Sequence, residues 1–141
     1  MMKREEILFE DFREVKDIVL KEKLSEEEIE EGLEPLESFF KVCITGHAFN
    51  RMYGEQERYA PYELVEDLIV SKATEIINTS TNEEFILLSS DKKLAVPCII
   101  QKIEGEYAII IKTVIRKVYY KDGIELEKTV GFRKCYDNKI K

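Results

Sequence analysis

The stretch FILLSSDKKLAVPCIIQKIEGEYAIIIKTVIRKVYY, residues 85–120, decides the fold. It is rich in Ile, Val and Tyr and is broken at intervals by short polar segments. That is the composition of β-strands joined by turns. It divides into strands over 85–88, 94–101 and 107–120, with turns at Asp91-Lys92-Lys93 and Glu104-Gly105-Glu106. Further on, Lys121-Asp122-Gly123 reads as a hairpin turn, because Asp-Gly supplies the positive-φ positions such a turn needs. A last strand is expected over 124–130.

Upstream the pattern reads as helical. Residues 3–23 carry Ile7, Leu8, Phe12, Val15, Ile18, Val19 and Leu20 at spacings near three and four, which predicts an amphipathic helix. Ser25 and Glu28 form a capping-box pattern that should start a second helix through Ile29, Leu33, Leu36 and Phe40. Gly32 and Pro35 weaken its middle. Residues 41–45 read as a short strand or an extended lead-in. Thr45 is a fair N-cap for a short helix from Gly46 to about Tyr53, ended by Gly54. Another helix follows, with Pro61 at its first position, Glu63 in its first turn and a stripe of Leu64, Val65, Leu68 and Ile69. Asn78-Thr79-Ser80-Thr81-Asn82 is loop chemistry. Helices followed by strands predict an α+β fold: N-terminal helices packed on an antiparallel β-sheet of about four to five strands. The expected organisation is an acidic helical N-terminal segment, residues 1–40, and an α+β domain, residues 41–141, ending in a β-meander.

The bulk properties suit one domain. The chain has 141 residues, 44% of them hydrophobic, enough for a core of its own. Its net charge of −7 is uneven. Residues 1–40 hold 6 Lys/Arg and 14 Asp/Glu, whereas residues 112–141 hold 9 and 4. An acidic chain does not usually hold nucleic acid by charge alone, and only the basic far end partly escapes that argument. No apolar run is long enough for a membrane-spanning helix, and the start of the chain turns acidic where a secretory signal needs apolar residues. A cytoplasmic protein with no membrane association is expected. Cys43, Cys98 and Cys135 are odd in number, far apart and without metal-ligand spacing. Neither a metal nor a cofactor is expected. There is no Gly-rich phosphate loop and no Ser-His-Asp arrangement. Glu83 and Glu84 would point to opposite faces of a strand, which argues against a paired-carboxylate glycosidase.

One constellation carries chemistry. His47, the single histidine, falls in the first turn of the short helix, with Arg51 four residues later on the same face. The positive helix N-terminus favours a neutral imidazole, which can serve as a general base. The Arg51 guanidinium suits a phosphate. Glu57 and Arg58 follow within reach. Lys112, Thr113, Arg116 and Lys117 add RNA-binding donors late in the meander. Strand parity separates Lys112 and Arg116 from Thr113 and Lys117 unless a bulge intervenes. RNA cleavage through the 2′-hydroxyl needs a base, an acid and cations on the phosphorane: His47 can be the base, and Arg51 and Arg58 the phosphate clamp. The same residues also suit a plain structural role, in which His47 and Arg51 cap a helix and pair with Glu55 or Glu57.

Gly46-His47-Ala48-Phe49-Asn50-Arg51-Met52, then Glu57-Arg58, then Pro61-Tyr62-Glu63-Leu64-Val65-Glu66-Asp67 together resemble a pattern of small toxin-like proteins related to the RelE/ParE toxins and the wider barnase–colicin–RelE nuclease group. The strand 108–115, with Thr113, resembles the final strand of that pattern. The resemblance covers about residues 42–118. It implies a ribonuclease-like sheet and a toxin-like, metal-independent endoribonuclease, from a mobile element, with catalytic His47, Arg51, Glu57 and Arg58. RNA would be the substrate and an antitoxin or host factor the protein partner. The alternative is a non-enzymatic phage or plasmid accessory protein that binds a protein partner through its acidic helices or its sheet.

Overall fold

Residues 14–21, expected to be helical, form the outer strand of the sheet instead. β1 (Glu14–Lys21) pairs antiparallel with β2 (Glu37–Ile44) over eight positions, from Glu14 opposite Ile44 to Lys21 opposite Glu37. The reason lies in the burial: Ile18 and Leu20 are buried while Asp17, Val19 and Lys21 are exposed, a period of two. Val15, Ile18 and Val19 are β-branched, which a pleated surface favours over a helix. Only a short 3-10 turn, Phe9–Asp11, remains of the expected first helix among the residues described. The computed structural model describes residues 6–54, 60–89, 94–116 and 135–137.

The second expected helix starts as read and stops early. α1 (Glu26–Glu30) has the reciprocal capping box, with the Glu28 N–H donating to Ser25 Oγ at 3.2 Å and the Ser25 N–H donating to Glu28 Oε1 at 2.8 Å. It closes in a Schellman motif: Leu33 N–H donates to the Glu28 carbonyl and Gly32 N–H to the Ile29 carbonyl, with Gly32 at φ +83°. Beyond Pro35 the chain enters β2, whose Phe40, Val42 and Ile44 point into the core. β2 runs unbroken through residues 40 and 41, so the expected division falls inside a strand.

The middle follows the sequence closely. α2 (Gly46–Tyr53) is capped by Thr45, whose Oγ1 accepts the Ala48 N–H at 3.0 Å. α3 (Tyr62–Ser71) has Pro61 as its N-cap, one place before the expected position, and buries Val65, Leu68 and Ile69, while Leu64, expected on the same stripe, is exposed. A further short helix, α4 (Ala73–Ile77), buries Ala73 and Ile76. Then come β3 (Glu84–Leu88), β4 (Leu94–Ile103) and β5 (Glu106–Ile111), an antiparallel meander. The β4–β5 turn uses Glu104 and Gly105, both at positive φ. The fold is α+β, as expected. Its sheet is mixed rather than wholly antiparallel: the order is β1-β2-β5-β4-β3, with β2 parallel to β5. The helical crossover from β2 to β3 carries the chain over the sheet, and the meander then returns to lie beside β2. Among the described residues two short strands are added to it. β6 (Ile115–Arg116) pairs with β4, and β7 (Cys135–Asp137), which sequence reading missed, runs parallel to β3. The turn expected at 121–123 and the strand at 124–130 lie outside the described residues.

The sheet has two unequal faces. One buries Ile18, Val42, Phe85, Ile100 and Ile109 in a main core with helix residues Met52, Val65 and Ile69. The other has a smaller apolar floor of Cys43, Ala108, Ile110 and Ile99, over which the N-terminal residues Phe9 and Phe12 pack. This second face carries the candidate site.

Candidate functional site

The expected continuous strand through 107–120 breaks after Ile111, and the break builds the site. Lys112 N–H still donates to the Pro97 carbonyl at 2.9 Å. Pro97 has no N–H to return, so the ladder loses its reciprocal bond there. The Lys112 carbonyl instead accepts the Thr45 hydroxyl at 3.3 Å. Pairing resumes with Ile115 opposite Ala95. Three residues on one strand therefore span two on the other, which is a β-bulge. A proline in a central strand thus joins the end of β5 to the N-cap of α2.

An open cavity of about 650 Å³ lies at that junction. His47 and Thr45 line it from the start of α2, Lys112 from the end of β5, and Ile99 and Ile110 from the sheet floor. Asp11 of the N-terminal segment lines the opposite wall. His47 and Lys112, distant in sequence, therefore share one cavity. The Lys112 ammonium sits 3.4 Å from Glu84 Oε1, with both side chains 42% exposed. An ion pair that wet is worth at most about 1 kcal/mol, so an arriving phosphate can compete for the ammonium. Within the floor, burial pushes the Cys43 thiol up to about 12, which makes it a packing group and not a nucleophile.

The other expected site residues fall differently. Arg51 is half-buried one turn beyond His47, roughly 6 Å along the axis, and is not among the residues lining the cavity. Thr113 is half-buried beside Lys112 and does not line it either. Arg116 has its backbone opposite Leu94 in β6. Glu57, Arg58 and Lys117 lie outside the described residues. Sequence reading missed Asp11 and Gln101 as cavity residues and saw Thr45 only as a cap. Gln101 carried a signal, being the one uncharged polar residue in the run from Leu94 to Ile103. Asp11 carried none, because its place depends on a contact across most of the chain.

Among the described residues no group of three His, Cys, Asp or Glu side chains is placed to hold a metal ion. No helix among them is long and apolar enough to cross a membrane. No known protein family, curated protein or solved structure matches the chain.

Proposed function

We propose that the His47–Lys112 cavity is the active site of a toxin-like endoribonuclease that cleaves RNA through its own 2′-hydroxyl. The observation that carries the reading is that His47 and Lys112, distant in sequence, both line one open cavity above an apolar floor. In this reaction His47 removes the 2′-hydroxyl proton, that oxygen attacks phosphorus, and the P–O5′ bond breaks to leave a 2′,3′-cyclic phosphate. The leaving oxygen takes its proton from the Lys112 ammonium or from water in the open cavity. Lys112 also offsets the charge on the phosphorane, and cations aimed at developing charge are among the largest contributions available. The Thr45 cap fixes the first turn of α2 and so orients His47. The chemistry needs no metal. The resemblance of residues 42–118 to the RelE/ParE-like nucleases supports the same reading.

The test is incubation of the full-length chain with end-labelled RNA in chelator, beside His47→Ala. The expected result is cleavage to cyclic-phosphate ends that falls by roughly 10²–10⁴-fold in the variant, the usual contribution of a general base. Absence of cleavage by the folded wild-type chain, or full activity in His47→Ala, would overturn the proposal.

A second reading has its own observation. Val19 and Phe39 are cross-strand partners on the outer hairpin, and are 49% and 72% exposed. Leu33 and Leu36 nearby in sequence are also exposed. An apolar patch on an acidic segment suits a protein partner, such as an antitoxin or a host factor. This reading stands beside the nuclease reading or, without cleavage, in its place.

A further inference from the structure

A second cavity, about 470 Å³, adjoins the first and shares Ile7 and Gln101 with it. Its other walls include Asn82, Lys102, Glu104 and Glu6. Its chemistry differs. Two acidic residues and one lysine line it, a balance that disfavours a phosphate. Its neutral polar residues are Thr81 and the amides Asn82 and Gln101, and the two amides lie 3.5 Å apart, Gln101 Nε2 to Asn82 Oδ1. A primary amide presents a donor and an acceptor side by side, the pattern that matches the edge of a nucleobase. Ile7, 44% exposed, offers an apolar surface for the base plane. The rim is set by backbone in the left-handed region at Asn82 (φ +70°), Glu104 (φ +50°) and Gly105 (φ +83°). Phe9 N–H donates to Glu104 Oε2 at 2.8 Å, which holds the N-terminal segment against the β4–β5 turn.

Gln101, which the two cavities share, stands a measurable length of strand from Lys112. Gln101 pairs with Ala108, and Lys112 lies four residues farther along the same chain. Four residues of extended chain span roughly 13 Å.

We infer that the Asn82–Gln101 cavity is a nucleobase subsite that accepts bases bearing an exocyclic amine. Glu6 and Glu104 accept from that amine and the two amides read the adjoining ring atoms. Adenine, cytosine and guanine carry such an amine; uracil, which presents carbonyl oxygens in its place, meets the carboxylates unfavourably. The orientation of the bound RNA rests on the ribonuclease reading, but the pocket itself does not.

The test is titration of the ¹⁵N-labelled full-length chain with adenosine, cytidine and uridine, with inorganic phosphate in a separate arm. Adenosine and cytidine should shift the side-chain amide signals of Asn82 and Gln101, with uridine at least about tenfold weaker, and Gln101→Glu should weaken adenosine binding by a similar factor. No shift with adenosine or cytidine, or equal binding of all three nucleosides, would overturn the subsite. Nucleoside binding by a chain that does not cleave RNA would keep the subsite and sink the nuclease reading. Cleavage without nucleoside shifts would do the reverse.

Discussion

Replacing Thr45 by Val keeps the shape of the side chain and removes its hydroxyl. Two bonds go: the Ala48 N–H loses its cap at 3.0 Å, and the Lys112 carbonyl loses its donor at 3.3 Å. Loss of an N-cap costs about 1 kcal/mol. The hydroxyl–carbonyl bond adds about 0.5–1 kcal/mol, since Pro97 can supply no substitute donor. The expected destabilisation is therefore about 1.5–2 kcal/mol, or roughly 5 °C in melting temperature for a domain of this size. Urea unfolding monitored by circular dichroism reads it directly. Thr45→Ser restores both bonds and should lie within about 0.5 kcal/mol of wild type. Catalysis should follow the hydroxyl as well, because the cap orients the turn that carries His47. Equal stability of Thr45→Val and Thr45→Ser would show that neither hydroxyl bond stabilises the fold.

Other outcomes follow from the same structure. Gly105→Ala places a methyl group with nothing within 4 Å, so its cost is backbone alone, about 1 kcal/mol at φ +83°; a loss above 3 kcal/mol in thermal unfolding would contradict this. The Cys43 thiol is held protonated in the folded state by burial, its value raised from 9.0 to about 12. The unfolded chain therefore loses that proton first as pH rises. Stability should decline between those two values, and thiol reagents at pH 8 should reach Cys43 only after unfolding; rapid labelling of the folded chain would refute it. The Glu28 carboxyl is held below its ordinary value by hydrogen bonds from Ser25, backbone first. Its stabilising effect is present above the ordinary carboxylate range and fades as pH falls through the lowered value, and Ser25→Ala should raise its NMR titration midpoint. Phe39→Ser should change stability by less than about 1 kcal/mol, because the ring is 72% exposed; a large loss in urea unfolding would mean the ring is packed and is no partner surface.

Local chemistry made part of this fold legible and long-range pairing hid the rest. The caps at Ser25 and Thr45, the Glu104-Gly105 turn and the α3 stripe are all decided within a few residues, and each was readable. Residues 14–21 were not. Their apolar spacing fits a helix, and only eight backbone partners in β2 make them a strand. Gly32 marked where α1 would stop, but the strand beyond Pro35 depends on β1 and β5 lying on either side of it. For the site, His47 stood out as the single histidine and Lys112 as one of four late donors. What joins them is Pro97, whose missing N–H interrupts the ladder, and that consequence appears only once β4 and β5 are aligned. Asp11 enters the cavity because the N-terminal segment crosses the second face of the sheet, a placement no local pattern encodes, whereas Gln101 stands out within β4 as the one uncharged polar residue of its run.

The proposed cleavage requires His47 and Lys112 to act on one phosphate. A double-mutant cycle on RNA cleavage in chelator, with His47→Ala, Lys112→Ala and both together, measures that directly. The prediction is that each single change lowers the rate by at least about a hundredfold and that the double variant is little worse than the weaker single one. Two independent, multiplicative losses, or a wild-type rate in either single variant, would contradict the shared site.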